Sequence, residues 1–498
     1  MTKRWIIAAS ALALAGCTVG PNYRPPELAV PPAFTGAQPQ TEAATGTVDP
    51  ATWWRAFGDP VLDGLVDRAL VGNPDMATAA SRVRQARLQE IAARAAGLPS
   101  VSANAQASHI EFSRNAGFSS LARAFSGGTD GTGTGTTGGV ALPGSGITTF
   151  ASGFDASWEV DLFGGVRRSR EAAAARTEAA EWTRADAAVT LAAEVAQAYF
   201  ALRLDQAQAK VIEDEIERQR RALAIAGHVA QVGLVPSVDV TRQRARLTGT
   251  EARLEPVRAD AAVRIHALGL LLGEAPPAFE AELVASAGAS AALPVVPAGL
   301  PSDLLRRRPD IRAAERRLGA ATADVGVAVS DLYPRFSLTG VAQLVSTGLA
   351  SLIERDSLQL VGTSGATLPV LDFGRRKAQV EMRREDREQA YLAYRTTVLG
   401  ALRDVEDALA RMDAEKRRHA ALERAVADAE ASAKAVEAQY RTGFVAQDSL
   451  LNAEVEVLSA REQLATSDAQ LRQLTATLFK AVGGGWSNKM PLASRPDR

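Results

Sequence analysis

The sequence predicts a mainly α-helical chain with a small membrane-type β part, built twice over one plan. Three observations predict it. Two helical patterns, beginning near Gly165 and near Arg375, run far beyond the length of a globular helix. Four segments alternate apolar and polar residues over ten or more positions, the signature of half-exposed strands. Landmarks also recur at fixed offsets. Pro74-Asp75 and Pro309-Asp310 lie 235 residues apart, as do Pro99 and Pro334. Further on the offset is 210: Phe163-Gly164 with Phe373-Gly374, Val195 with Val405, Gly233 with Gly443, and Gly273 with Gly483. The 25-residue difference falls between the two strands of the first half, where the Gly/Thr run Gly127–Gly139 sits. The first half therefore has the longer loop at its strand-hairpin tip.

Composition narrows the class. Hydrophobic residues make up 46% of the chain but aromatic residues only 5%, so the apolar content is mostly Ala, Leu and Val, suited to close-packed helices. A net charge of -1 gives no reason to expect nucleic acid or another polyanion as a partner. Lys and Arg alternate with Asp and Glu along the helical patterns, as on solvated faces.

The N-terminus, residues 1–16, reads as an export signal. Lys3 and Arg4 precede the apolar run Trp5–Leu14, and Ala15-Gly16 are the small residues before cleavage. The run is too short for a permanent membrane span. Leu14-Ala15-Gly16-Cys17 resembles a bacterial lipobox, which makes Cys17 the acylated mature N-terminus. Thr18 follows rather than Asp, and by resemblance to lipoprotein sorting this favours the outer membrane. Cys17 is the single cysteine, so an intramolecular disulfide is excluded. Residues 17–58 then read as a lipid-anchored extended tether, with Pro21, Pro25, Pro26, Pro31, Pro32 and Pro39. Trp53-Trp54-Arg55-Ala56-Phe57 looks like the point where the tether docks on the body.

The first repeat spans 59–273. Asp59-Pro60 starts a short helix to about Val71, and Pro74 starts another to about Gly97. A strand pair follows at about 100–113 and 147–162. On the second strand Phe154, Ala156, Trp158, Val160 and Leu162 oppose Asp155, Ser157, Glu159 and Asp161. A helical hairpin occupies 165–273; its first arm has no Pro up to Val229 and extends about 100 Å at 1.5 Å per residue. A linker, 274–302, leads to the second repeat, 303–486, with strands at about 335–345 and 357–371 and a hairpin at 375–482. A tail, 487–498, ends the chain. The returning arms carry seven-residue spacings: Val240, Leu247, Leu254, Ala261 and Leu268, then Leu450, Val457, Leu464, Leu471 and Leu478. Ala453, Ala460, Ser467, Leu474 and Ala481 accompany the second set, as in coiled-coil packing.

A single-chain barrel needs about eight strands or more, and an open edge cannot remain in lipid. Four strands therefore require sharing between copies: two copies give eight strands, three give twelve. Each strand continues into a helix running away from the membrane, which describes a tube.

The chain resembles outer-membrane efflux proteins of the TolC/OprM type, and most closely the lipoprotein, NodT-like branch. The residues that carry the resemblance are Trp53–Pro60, Asn73-Pro74-Asp75, Trp158–Gly164, Leu304–Ile311, Ala313–Arg316, Tyr333–Phe336, Val405–Leu409 and Gly483–Trp486. The resemblance implies a TolC-like homotrimer, with four strands per chain in a shared twelve-stranded outer-membrane barrel and a long α-helical periplasmic barrel. It implies three partners besides outer-membrane lipid: a second and third copy, a periplasmic membrane-fusion adaptor, and an inner-membrane pump, usually of the RND type. The implied function is a passive duct exporting drugs or other small molecules. A type I protein secretion or metal-efflux duct, or a non-channel coiled-coil lipoprotein, are the alternatives; the last predicts neither lipid-facing alternation nor duplicated strand pairs.

Two tips face the pump in this reading. Gly233 and Leu234, and Gly443 and Phe444, stand where the helical hairpins reverse, and the resemblance makes them adaptor-contacting. Asp448, Asn452 and Glu456 follow at i, i+4, i+8 on one helix face, so a trimer stacks them in rings of three at the periplasmic aperture. Rings of acids repel, bind cations, or pair with Arg441 or Arg242. The family pattern usually has Leu at the position of Asp448 and Asp at that of Asn452, which leaves open which ring closes the aperture. The plain alternative is a solvated helix face. No catalytic set is expected. His109, His228, His266 and His419 have no metal-ligand spacing, so neither a metal nor a cofactor other than the lipid on Cys17 is expected. Gly133, Gly135 and Gly138 match a nucleotide-binding spacing inside a low-complexity loop, outside any strand-to-helix context.

Overall fold

The first two α-helices start at side-chain caps. The Asp59 carboxylate accepts from the amides of Val61 and Leu62, and Pro60 fills the first helical position, so α1 runs Pro60–Gly72. Asn73 does the same for α2, Pro74–Ala95: its Oδ1 accepts from the amides of Asp75 at 2.7 Å and Met76 at 3.1 Å. Its Nδ2 turns the other way and donates to the carbonyl of Leu271 at 2.9 Å. This computed structural model describes residues 18–35, 48–111, 147–231, 236–275, 278–285, 293–296, 301–442 and 444–486. Cys17, the Gly/Thr run, Gly233, Leu234, Gly443 and the C-terminal tail lie outside them.

The described chain forms two units. One holds residues up to Tyr23, Gln89–Ala173 and Ala320–Arg387; the other holds Arg24–Leu88, Ala174–Gly319 and Glu388 onward. The first unit carries a four-stranded antiparallel sheet in the order β1 (Ser100–Ile110), β2 (Ile147–Val160), β3 (Arg335–Ser346), β4 (Leu358–Thr367). Its register repeats. Ser100 faces Ser157 in one pair and Arg335 faces Thr367 in the other, displaced by the same 235 and 210 residues as the landmarks. On one face Ser102 and Asn104 donate to Asp155 at 2.8 and 3.0 Å, and Gln343 donates to Gln359 at 2.9 Å. The other face presents Val101, Phe154, Leu338 and Leu360, all exposed. β1 and β4 are the edges.

Two strands are shorter than the alternation suggests. β2 stops at Val160 because Leu162 folds back to donate to the Val160 carbonyl, and Asp161 accepts from the Arg167 amide to start the next helix. β4 stops at Thr367 because Pro369 has no amide to add to the ladder. Gly164 (φ 83°) and Gly374 (φ 89°) then turn the chain into α3, Gly165–Gln231, and α8, Arg375–Arg441, each of 67 residues and about 100 Å long. The returning arms are α4, Ser237–Leu272, and α9, Gln447–Ala481.

The second unit contains the aromatic core. Trp53 and Trp54, in a 3₁₀ helix at Pro50–Phe57, are buried with Phe57, and the Trp53 ring stacks on Phe479 at 5.1 Å. The tether thus docks where the sequence placed it. The segment expected as a linker carries a short helix, α5 (Glu280–Ala285), whose Phe279 and Leu283 enter this core, while Arg68 pairs with Glu274 and Glu282. A further helix, α6 (Pro301–Arg307), precedes α7, Pro309–Ser330. The heptads need one correction. Leu247, Leu254, Leu268, Leu471 and Leu478 are buried as expected, but Val240, Ala261, Leu450, Val457 and Leu464 are only half-buried; of the companion row Ala453, Ser467, Leu474 and Ala481 are buried and Ala460 is half-buried. In α9 the heptad row is buried only toward its C-terminal end, and nearer the tip Leu451, Ala453 and Leu458 make the buried face.

Asn73 both caps α2 and binds the end of α4. Asn73→Ala should cost about 2 kcal/mol, and Asn73→Asp, which keeps the capping oxygen and loses the donor, should cost less. Thermal unfolding of both variants in detergent, followed by circular dichroism, checks the order.

Candidate functional site

Where a helical hairpin reverses, its last carbonyls and first amides need partners. At the second reversal the Thr442 amide donates to Ala438 and the Phe444 amide to the Gln439 carbonyl at 2.9 Å, a six-to-one bond that closes the helix end. Phe444 is 84% exposed, a large apolar ring held out at the tip. The first reversal, with Gly233 and Leu234, and Gly443 of the second, lie outside the described residues, so only Phe444 of the four tip residues is placed.

Asp448, Asn452 and Glu456 all lie exposed on α9. Asp448 faces Arg242 of α4 at 3.6 Å, and Arg242 also approaches Asp239 at 3.7 Å. Arg441, the other expected partner, instead pairs with Glu437 at 2.6 Å along its own helix. One arginine therefore joins the first turns of α4 and α9, beside a cavity of about 160 Å³ that Gln243, Ala446 and Leu451 also line. Both Arg242 and Asp448 are more than half exposed, so the link is weak, worth at most about 1 kcal/mol. A contact of that size can be exchanged when a partner docks. Asn452 and Glu456 have no hydrogen bond or ion pair among the described residues, so in one chain that part of the face is solvated.

Along the same helices lie buried polar groups that the sequence reading missed. Glu215 of α3 is 2% exposed and accepts from Arg218 at 2.7 Å and from Gln219 at 2.8 Å. Gln243 of α4 is 1% exposed, and neither atom of its amide has a partner. Burial raises the pKa of Glu454 on α9 above the ordinary carboxylate range, and Glu215 nearby raises it further, against the opposing pull of Arg218 and Arg246. A signal was available. Gln243 stands where the second repeat has Ala453, a packed companion position, so the offset marks it as a polar residue at a buried site.

A second site lies in the other unit, at the base of the tether. The Arg168 guanidinium is buried and donates to the carbonyls of Val19 and Gly20, to Asn22 Oδ1 at 2.6 Å and to Glu171 at 2.7 Å. The Val19 amide donates to the Phe163 carbonyl at 3.1 Å. Gly164 leaves room for Thr18, since a Cβ there would lie 2.7 Å from the Thr18 methyl. The chain that follows Cys17 is thus fixed against the strand-to-helix turn. Cys17 itself lies outside the described residues. Among the described residues no group of His, Cys, Asp and Glu is placed to hold a metal ion.

Comparison with known proteins agrees with this geometry. The family model described as outer membrane efflux protein matches residues 65–274 and 300–484. The chain is 30% identical over 498 residues to the probable efflux pump outer membrane protein TtgC of Pseudomonas putida, covering 98% of this chain and 96% of that protein. It is 29% identical to the pyoverdine export outer membrane protein OpmQ of Pseudomonas putida (94% and 95% covered) and 28% identical to the cation efflux system protein CusC of Escherichia coli (96% and 97% covered). Among solved structures, the outer-membrane channel OprN superposes with a TM-score of 0.82 at 31% identity, over 95% of this chain and all of that one. The Campylobacter jejuni CmeC outer membrane channel shares the fold, with a TM-score of 0.81 at 22% identity and 95% and 96% covered.

The raised pKa of Glu454 has a definite sign. Between the unfolded and folded values the folded chain binds the extra proton, so this group lowers stability as pH rises through that window. Glu454→Gln should therefore raise the unfolding temperature at pH 7, with the gap to the native protein closing as pH falls below the ordinary carboxylate range. Melting curves at pH 4 and pH 7 compare the two.

Proposed function

Because this chain belongs to the outer membrane efflux protein family, we infer that it is the outer-membrane duct of a tripartite efflux system. It is an outer-membrane efflux channel, and the observation that carries the mechanism is the sheet. Four strands expose an apolar face and end in two edges, β1 and β4, whose outer sides pair with no other strand among the described residues. Lipid does not tolerate such edges. The repeated register of the two strand pairs supports closure by further copies, three of which give twelve strands. The homotrimer then continues through α3, α4, α8 and α9 into a helical tunnel in the periplasm.

Acylation of Cys17 anchors each copy, which the fixed position of Thr18–Asn22 beside the sheet's periplasmic end supports. The duct is passive, has no catalytic step, and holds no cofactor beyond that lipid. Gly233, Leu234, Gly443 and Phe444 meet a periplasmic membrane-fusion adaptor joined to an inner-membrane RND-type pump. Docking exchanges the Arg242–Asp448 link for partner contacts, the coils shift, and the rings of Asp448, Asn452 and Glu456 open. Relatives are named for pyoverdine, toluene and cation export. The cargo here is a class of small solutes chosen by the pump.

The tests are electrical and chemical. Purified protein in planar bilayers should conduct, and Asp448→Ala with Glu456→Ala should raise the open fraction several-fold; silence in both proteins would exclude a duct. Cys17→Ser should remove the acyl mass seen by intact mass spectrometry and leave the mature N-terminus unanchored.

A further inference from the structure

A cavity of about 540 Å³ lies at the base of the second strand pair, lined among others by Arg335, Arg375, Arg376, Asp331, Tyr333 and Gln379. Three guanidiniums meet one carboxylate there, and Asp331 is taken by Arg335 at 2.5 Å. Arg376 leans on Asp372 only through Nε, at 3.9 Å, and its Nη1 is buried without any partner. Arg375 has no ion pair among the described residues. A buried guanidinium donor left unpaired is costly, so an acceptor is missing.

The first repeat is an internal control. The residues matching Arg335, Arg375 and Arg376 are Ser100, Gly165 and Val166, and Val166 packs against Gly97. A strand-to-helix turn therefore needs no positive charge at these positions. The buried guanidinium of the first repeat, Arg168, has its acceptors within the chain: two carbonyls, Asn22 and Glu171. The second repeat concentrates the same donors around only Asp331 and Asp372, and neither carboxylate reaches Arg375 or the Arg376 Nη1. Planar guanidinium forks match the paired oxygens of a phosphate group better than a single carboxylate would match three of them. The segment that lines the cavity through Pro369 also exposes Leu368, Val370, Leu371 and Phe373, the last 93% exposed. A cationic cavity flanked by bare apolar side chains suits an amphiphile.

We propose that the cavity around Arg335, Arg375 and Arg376 binds a phosphate group, supplied by a phospholipid headgroup or by free phosphate. The lipid source rests on the outer-membrane duct reading, which sets this end of the sheet at the level of the inner-leaflet headgroups. Bound lipid then ties each copy's strand-to-helix turn to the membrane, in addition to the acyl anchor.

Native mass spectrometry of the purified full-length protein in detergent tests this, with dioctanoyl phosphatidylglycerol in one arm and inorganic phosphate in the other. The lipid adduct should form, be displaced by phosphate, and weaken at least tenfold in Arg375→Gln/Arg376→Gln. The single variant Arg375→Gln, at an exposed side chain, should weaken it several-fold with folding intact, and Arg170→Gln, an exposed arginine of the first repeat, should leave it unchanged. Binding of phosphate alone supports the site and assigns its source to free phosphate. Adducts that phosphate fails to displace, adducts that persist in the double variant, or no adduct in either arm overturn the proposal. Conductance of the same preparation is read separately. A conducting protein without adducts sinks this site alone, and adducts on a silent protein sink only the duct.

Discussion

Each half of the chain is closed by one hydrogen bond from a side chain to a helix end. Asn73 donates to the Leu271 carbonyl at 2.9 Å, and Arg308 donates to the Ala481 carbonyl at 3.0 Å. The donors lie 235 residues apart and the acceptors 210, so one contact is made twice with different chemistry. Both donors immediately precede the Pro-Asp helix start, and both acceptors are last-turn carbonyls that would otherwise lack a partner. Gly273 and Gly483 follow with positive φ, leaving the space that lets these helix starts approach. The contact joins the end of each returning helix to the start of the Pro-Asp helix of its half. The aromatic core around Trp53 and Phe479 then packs beside it.

The sheet is the opposite case, a structure unfinished within one chain. Its polar face satisfies itself through Ser102, Asn104 and Asp155, whereas its apolar face and both edges do not. The apolar face and the two edges are the parts of the β unit left open among the described residues.

Function is written where the two repeats differ. Arg242 reaches across to Asp448, and Gln243 is buried at the place that Ala453 holds in the other repeat. At the other end Arg168 holds the tether, and Ala378 stands at its counterpart; Arg375 and Arg376 crowd a turn that Gly165 and Val166 make without charge. A duplicated fold supplies the same elements twice over, and single positions such as Arg168, Arg242, Gln243, Arg375 and Arg376 break the symmetry. Those departures cluster at the two ends of the long helices. Between them, heptad packing leaves little freedom.

The sequence alone determined the plan: the duplicated order of elements, the two long helical hairpins, the four alternating strands and the family. Periodicity and offsets are local and additive, so they survive without coordinates. It also placed the tether's docking point, because Trp53 and Trp54 in a proline-rich stretch have nowhere to go but a core. Tertiary structure decided what depends on partners across the chain. It chose Arg242 over Arg441 for Asp448, since Glu437 one turn back holds Arg441. It put Phe279 and Leu283 of the expected linker into the core, and near the start of α9 it buried Leu451, Ala453 and Leu458 in place of Leu450 and Val457. It revealed that Gln243 and the Arg376 Nη1 are buried without partners, because burial is a property of the neighbours a residue meets and not of its own identity.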